Sequence, residues 1–133
     1  MSVLLIIESF DPEAQPLPSE LAAFIQASWN RGDKMHCGVH NTSGHTLALS
    51  TADVGATDTQ ITDVMTFLSD HGHSCSRYIQ QLAGPTAALV LATCISPPAV
   101  AQEISLPAEL VAAAGRLGVS VLVRTYLTNE AAA

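Results

Sequence analysis

The sequence predicts an α+β fold, a two-layer sandwich of ferredoxin-like plan with an added helix and strand, in the order β-α-β-β-α-β-α-β. Three observations predict it. The run TAALVLATCI (Thr86 to Ile95) is apolar enough for a buried strand; a Pro-rich loop, the amphipathic segment SLPAELVAAAGRLG and the alternating run VSVLVRTYL follow it. A second apolar run, Val3 to Ile7, opens the chain. Between the two lie alternating segments and a long helical periodicity. Strand order does not follow from these patterns.

Taken in order, residues 2–9 make the first strand. Asp11, Pro12, Pro16 and Pro18 break it and lead into a helix from about Pro18 to Ala27. Leu17-Pro18-Ser19-Glu20-Leu21 nearly repeats Leu106-Pro107-Ala108-Glu109-Leu110. We read this as a good helix start that arose twice, because a proline in the first turn loses no hydrogen bond. Trp29-Asn30-Arg31-Gly32-Asp33 is a polar turn carrying the single tryptophan. Met35 to Asn41 and His45 to Thr51 alternate and are separated by Thr42-Ser43-Gly44, which predicts a hairpin.

A helix is expected from Thr57 or Asp58, with Ile61, Val64, Met65 and Leu68 on one face. A break is expected at His71-Gly72-His73, with a second helix from Ser74 through Leu82 burying Tyr78, Ile79 and Leu82. Gly84-Pro85 then ends the helical region. The last helix has signals at both ends. Pro107 and Glu109 suit its first turn, Arg116 its last, and Gly118 the left-handed stop. Leu106, Leu110, Ala113, Ala114 and Leu117 form its apolar stripe. Val119, Val121 and Val123 alternate with Ser120, Leu122 and Arg124 in the strand that follows.

The 133 residues are expected to form one domain, 1–133, with a frayed Ala-rich tail at 129–133. A net charge of −7, with Arg31, Lys34, Arg77, Arg116 and Arg124 scattered, argues against a nucleic-acid partner. No apolar run is long enough for a membrane span, so no membrane association is expected. The N-terminus lacks the basic segment of a signal peptide. Cys37, Cys75 and Cys94 are an odd number without a C-x-x-C, and Cys37 and Cys94 are expected as buried free thiols in strands. These features predict a reducing, cytoplasmic setting.

Arg31-Gly32-Asp33 before a hairpin, the Gly44-His45-Thr46-Leu47-Ala48-Leu49-Ser50 segment and the closing Ile104 to Leu127 stretch resemble a bacterial family of small α+β domains of unknown function. That family has a Lys/Arg-Gly-Asp turn, a Trp-x-Leu-x-Ser hairpin strand and a helix feeding an aromatic-containing strand. His45 or Thr46 stands where the hairpin tryptophan belongs. The resemblance implies a cytoplasmic domain of mobile gene cassettes and immunity-like accessory loci, and it carries no catalytic residues.

Chemical motifs are weak. Gly-x-Gly-x-x-Gly, Walker and Gly-x-Ser-x-Gly patterns do not occur, so neither a catalytic residue nor a cofactor is expected. His36 and His40, four apart in one strand, would share a face about 13 Å apart at roughly 3.3 Å per residue, too far to share a metal ion. His71, His73 and Cys75 would chelate a soft metal only if their turn curled, and one loop does not supply a closed site. No metal site is expected.

The expected functional surface is the sheet face opposite the helices. If Val119, Val121 and Val123 face the core, Leu122, Arg124 and Tyr126 share the other face, joined by His36 and His40 and by Glu8. Aromatic, Arg and His groups among aliphatics have the composition of an interface. The expected role is a non-catalytic protein-binding or accessory domain, its partner another protein or a second copy in a homodimer. The alternative is a small-molecule-binding protein or hydrolase with a cleft near Trp29-Asp33 and His71-Cys75.

Overall fold

A computed structural model describes residues 3–128. Strands β1 (Val3–Ser9), β2 (Ile25–Trp29), β5 (Ser43–Ser50), β6 (Thr86–Ile95) and β7 (Ser120–Leu127) form a mixed sheet in the order β2-β5-β1-β6-β7. The β6–β7 pair is parallel and the other pairs are antiparallel. A two-stranded ribbon, β3 (Lys34–Met35) and β4 (Gly38–Val39), stands apart from it. The helices are α1 (Ser19–Ala22), α2 (Thr57–Gln80) and α3 (Ala108–Leu117). The chain is therefore α+β.

Strand alternation decides which residues meet the helices. Val3, Leu5 and Ile7 of β1 are at most 1% exposed, whereas Leu4, Ile6 and Glu8 are half-buried. Leu47, Leu49, Leu89 and Leu91 lie on the same side as Leu5 and meet Ile61, Val64, Phe67, Cys75 and Ile79 of α2 and Leu110 and Ala114 of α3. Burying an aliphatic side chain of this size contributes roughly 1.5–3 kcal/mol, so this one-sided core is the main stabilising layer. α3 stops as expected, with Gly118 in the left-handed region at φ 70°.

Four local expectations fail. The helix expected to reach Ala27 ends at Ala22, and Ile25–Trp29 pairs with β5 as an edge strand. Ser43-Gly44 opens β5 instead of forming a turn, and the hairpin is the short β3–β4 ribbon. The break at His71-Gly72-His73 is absent, because α2 runs unbroken for 24 residues and Gly72 is buried within it. Cys37 is exposed and Cys94 half-buried, so the buried free thiol is Cys75. The expected frayed tail lies outside the described residues.

Gly44 shows why β5 crosses the sheet here. A Cβ at this position would collide with the Ile7 carbonyl and come within 2.9 Å of the Trp29 ring. Only glycine lets β1, β5 and the indole approach this closely.

Candidate functional site

The face of the sheet opposite the helices is formed by alternate residues of five strands. Register places Leu4 beside Ala48 and Val90, and Val90 beside Leu122. One step along, Ile6 lies beside Thr46 and Ala88. The helices draw their core contacts from the other face; on this one Val90 is 4% exposed, Leu4, Ile6, Ala48 and Ala88 are half-buried and Leu122 is 51% exposed, so the strip opens to solvent towards β7. It is bounded by Glu8, Thr86 and Gly44 at one end and by Ala92 and Arg124 at the other. Beyond Ala92, the loop at Val54-Gly55 closes over Cys94, whose thiol donates to the Val54 carbonyl at 3.8 Å.

The five predicted site residues divide into two groups. Leu122, Arg124 and Tyr126 alternate along β7 on the bare face, with Leu122 51% and Tyr126 47% exposed. His36 and His40 do not join them. His36 sits in the turn of the β3–β4 ribbon, off the main sheet. His40 follows β4 and stacks on Trp29, with ring centroids 5.1 Å apart. Trp29 is in register with Gly44 and Glu8, so this stack caps the corner diagonally opposite Tyr126. Eight residues along and four strands across separate the corners by roughly 30 Å. The two histidines also never share a strand face, because the ribbon turns between them.

Charge on the bare face is sparse. Among the strand residues directed to it, the charged side chains are Glu8 on β1 and Arg124 on β7. Glu8 accepts the Thr42 hydroxyl at 2.5 Å. A cross-strand pair of Glu8 with Arg124 inside one chain is ruled out by register. Glu8 is level with Thr86, and Arg124 is level with Ala92, six residues further along β6.

The alternative cleft is not assembled. His71 contacts Phe24 and Phe67 and meets Glu20 at 3.1 Å, whereas His73 lines a separate cavity of about 280 Å³ between α2 and α3. Two residues apart on a helix put them on opposite flanks, which prevents chelation. No group of three metal-ligating side chains occurs among the described residues. Burial, reinforced by Glu20, pushes the Cys75 thiol up to about 12, so this sulfur is no nucleophile.

One polar chain escaped sequence reasoning. Ser28 Oγ lies 2.6 Å from His45 Nδ1, and His45 Nε2 lies 2.7 Å from the Gln15 carbonyl. A carbonyl only accepts, so Nε2 carries the proton and the Ser28 hydroxyl donates to Nδ1. The Tyr78 hydroxyl donates to the same carbonyl at 2.7 Å, tying residues 10–18 to α2. Burial, then the charge of Asp11, pushes Tyr78 up to about 12. Ser28 and His45 are 17 apart with no motif around either, so only their pairing across β2 and β5 reveals the contact.

Comparison of the chain with models of protein families, with curated proteins and with solved structures finds no match. No helix among the described residues is long and apolar enough to cross a membrane.

Proposed function

We propose that this chain is a non-catalytic protein-binding domain that acts through its bare sheet face. One observation carries the reading: the side facing away from the helices is a continuous strip of Leu4, Ile6, Ala48, Ala88, Val90 and Leu122. An antiparallel face meant for water alternates to polar residues, whereas this strip is aliphatic and opens to solvent at Leu122 and Tyr126 of β7, which supports an interaction site there. An accessory, immunity-like role is the version that the family resemblance implies. We further infer a two-layer, ferredoxin-like plan. The first four main-sheet strands in sequence, β1, β2, β5 and β6, lie in the order β2-β5-β1-β6 with every neighbour antiparallel, which supports it, and α3 with β7 is then the addition. Titrating a purified binding protein against the wild type and variants tests the reading. Leu122→Lys and Tyr126→Ala are expected to weaken binding at least tenfold, and unchanged affinity in both overturns it.

A hydrolase is the second reading, favoured by the exposed Ser28 hydroxyl on a His45 whose other nitrogen is held by a carbonyl. A nucleophile, base and orienting group in sequence is the arrangement that activates serine. A fluorophosphonate probe tests it. Labelling lost in both Ser28→Ala and His45→Gln supports it, and an unlabelled wild type removes it.

A further inference from the structure

Resting on the protein-binding reading, we propose that the outer edge of β7 takes up an extended segment of another protein as an added antiparallel strand, with a carboxylate of that segment opposite Arg124. The two edges of the sheet differ. β2 is five residues long, carries a register shift between Ile25 and Ala27, and ends at Trp29, which stacks on His40. Short length and a bulge are devices that keep an edge strand from pairing. β7 has neither, and its eight residues run in unbroken register with β6. Both of its faces are open, with Val123 and Leu127 exposed on the helix side and Leu122 and Tyr126 on the other.

Backbone direction says what this edge offers. Thr128 donates its N–H to the Ile95 carbonyl at 3.0 Å, so the even-numbered residues of β7 turn their main-chain groups to β6. Alternation then directs the N–H and C=O of Val121, Val123, Thr125 and Leu127 outward. These groups make no hydrogen bond to another element among the described residues. A row of alternating donors and acceptors is matched by a second extended backbone. A copy of β7 fits it poorly. Pairing all the outward residues with those of a second copy sets Val121 against Leu127, Val123 against Thr125 and Arg124 directly against Arg124, in the kind of pair whose side chains lie closer. Like charges directly opposite destabilise, and sliding the register by two residues leaves an outward residue of each β7 without a strand partner. Arg124 carries the one charge of β7, so the same position favours a foreign strand with Asp or Glu there.

A blocked synthetic peptide tests the proposal, with a central Glu, Val two positions to either side and Thr elsewhere, long enough to lie along β7 at about 3.3 Å per residue. It is expected to bind and to slow amide exchange at Val121, Val123, Thr125 and Leu127, read by NMR, while Leu122, Arg124 and Tyr126 are unchanged. The same peptide with a central Lys is expected to bind roughly three- to tenfold more weakly, and Arg124→Glu, with an unchanged circular dichroism spectrum, is expected to reverse the preference. N-methylation of the two Thr beside the Glu removes donors that face Val123 and Thr125, and is expected to abolish binding. The proposal is overturned by a Glu peptide that does not bind at about 1 mM, by a preference that Arg124→Glu leaves alone, or by binding that survives N-methylation. Outward amides already protected without peptide, in a chain that sediments as a dimer, overturn it in favour of a second copy. A purified binding protein that is lost with Leu122→Lys but leaves these amides exchanging overturns the edge and keeps the protein-binding reading. Where the peptide does not bind and no bound protein responds to Leu122→Lys or Tyr126→Ala, both fall.

Discussion

The two sides of β1 differ more in what covers them than in what they are made of. Val3, Leu5 and Ile7 are sealed under α2, while Leu4 and Ile6, equally aliphatic, lie half-buried on the other side. On that second side Val90 is 4% exposed and Leu122 51% exposed, so its cover runs out towards β7. The contrast separates residues sealed between the helices and the sheet from those near β7 that stay open to solvent.

The largest way to sharpen that contrast is truncation on each side. Leu89→Ala, fully buried under the helices, is expected to cost about 2–5 kcal/mol in urea unfolding. Leu122→Ala, half exposed on the other side, is expected to cost less than about 1 kcal/mol. Similar losses would mean that the bare side is part of the core. Gly44→Ala, which forces a Cβ into β1 and the Trp29 ring, is expected to cost on the order of 1–3 kcal/mol and to perturb tryptophan fluorescence. A variant with native fluorescence and stability would contradict the close approach.

Alkaline pH probes the covered side alone. Burial raises Cys75 from its ordinary 9.0 to about 12, and Tyr78 from 10.0 to about 12. Below pH 9 both groups are protonated in folded and unfolded chains, and their contribution is fully present. Above it the unfolded thiol ionises while the folded one holds its proton, so stability falls as pH rises towards about 12; Tyr78 adds to this from pH 10. Each group contributes a slope of at most about 1.4 kcal/mol per pH unit, and Cys75→Ala and Tyr78→Phe are each expected to flatten the melting curve's pH dependence. An unchanged slope in both would show that these groups stay accessible. The smallest effect is chemical: iodoacetamide is expected to modify Cys37 in the native protein and to spare Cys75 until unfolding, read by mass spectrometry.

Much of this was legible beforehand where a local signal was strong. Pro107, Glu109 and Gly118 framed α3, and the valine alternation after it put Leu122, Arg124 and Tyr126 on one face. Weak local signals misled where packing outvoted them. Gly72 reads as a break, yet it is tolerated in α2 because the flanking Phe67, Cys75 and Tyr78 are buried. Thr42-Ser43-Gly44 reads as a turn, yet Gly44 is there for the close passage of β5 beside β1.

The sequence by itself determined the class of the fold, the C-terminal helix and strand, and the alternation of β7, because each depends on neighbours a few residues apart. Only the tertiary structure decided the order β2-β5-β1-β6-β7, the separation of His36 and His40 from β7, and the meeting of Ser28 with His45. β1 is apolar on both sides, so its pattern does not say which face the helices take. That choice is made by which strands α2 and α3 can span, a long-range property with no local signature.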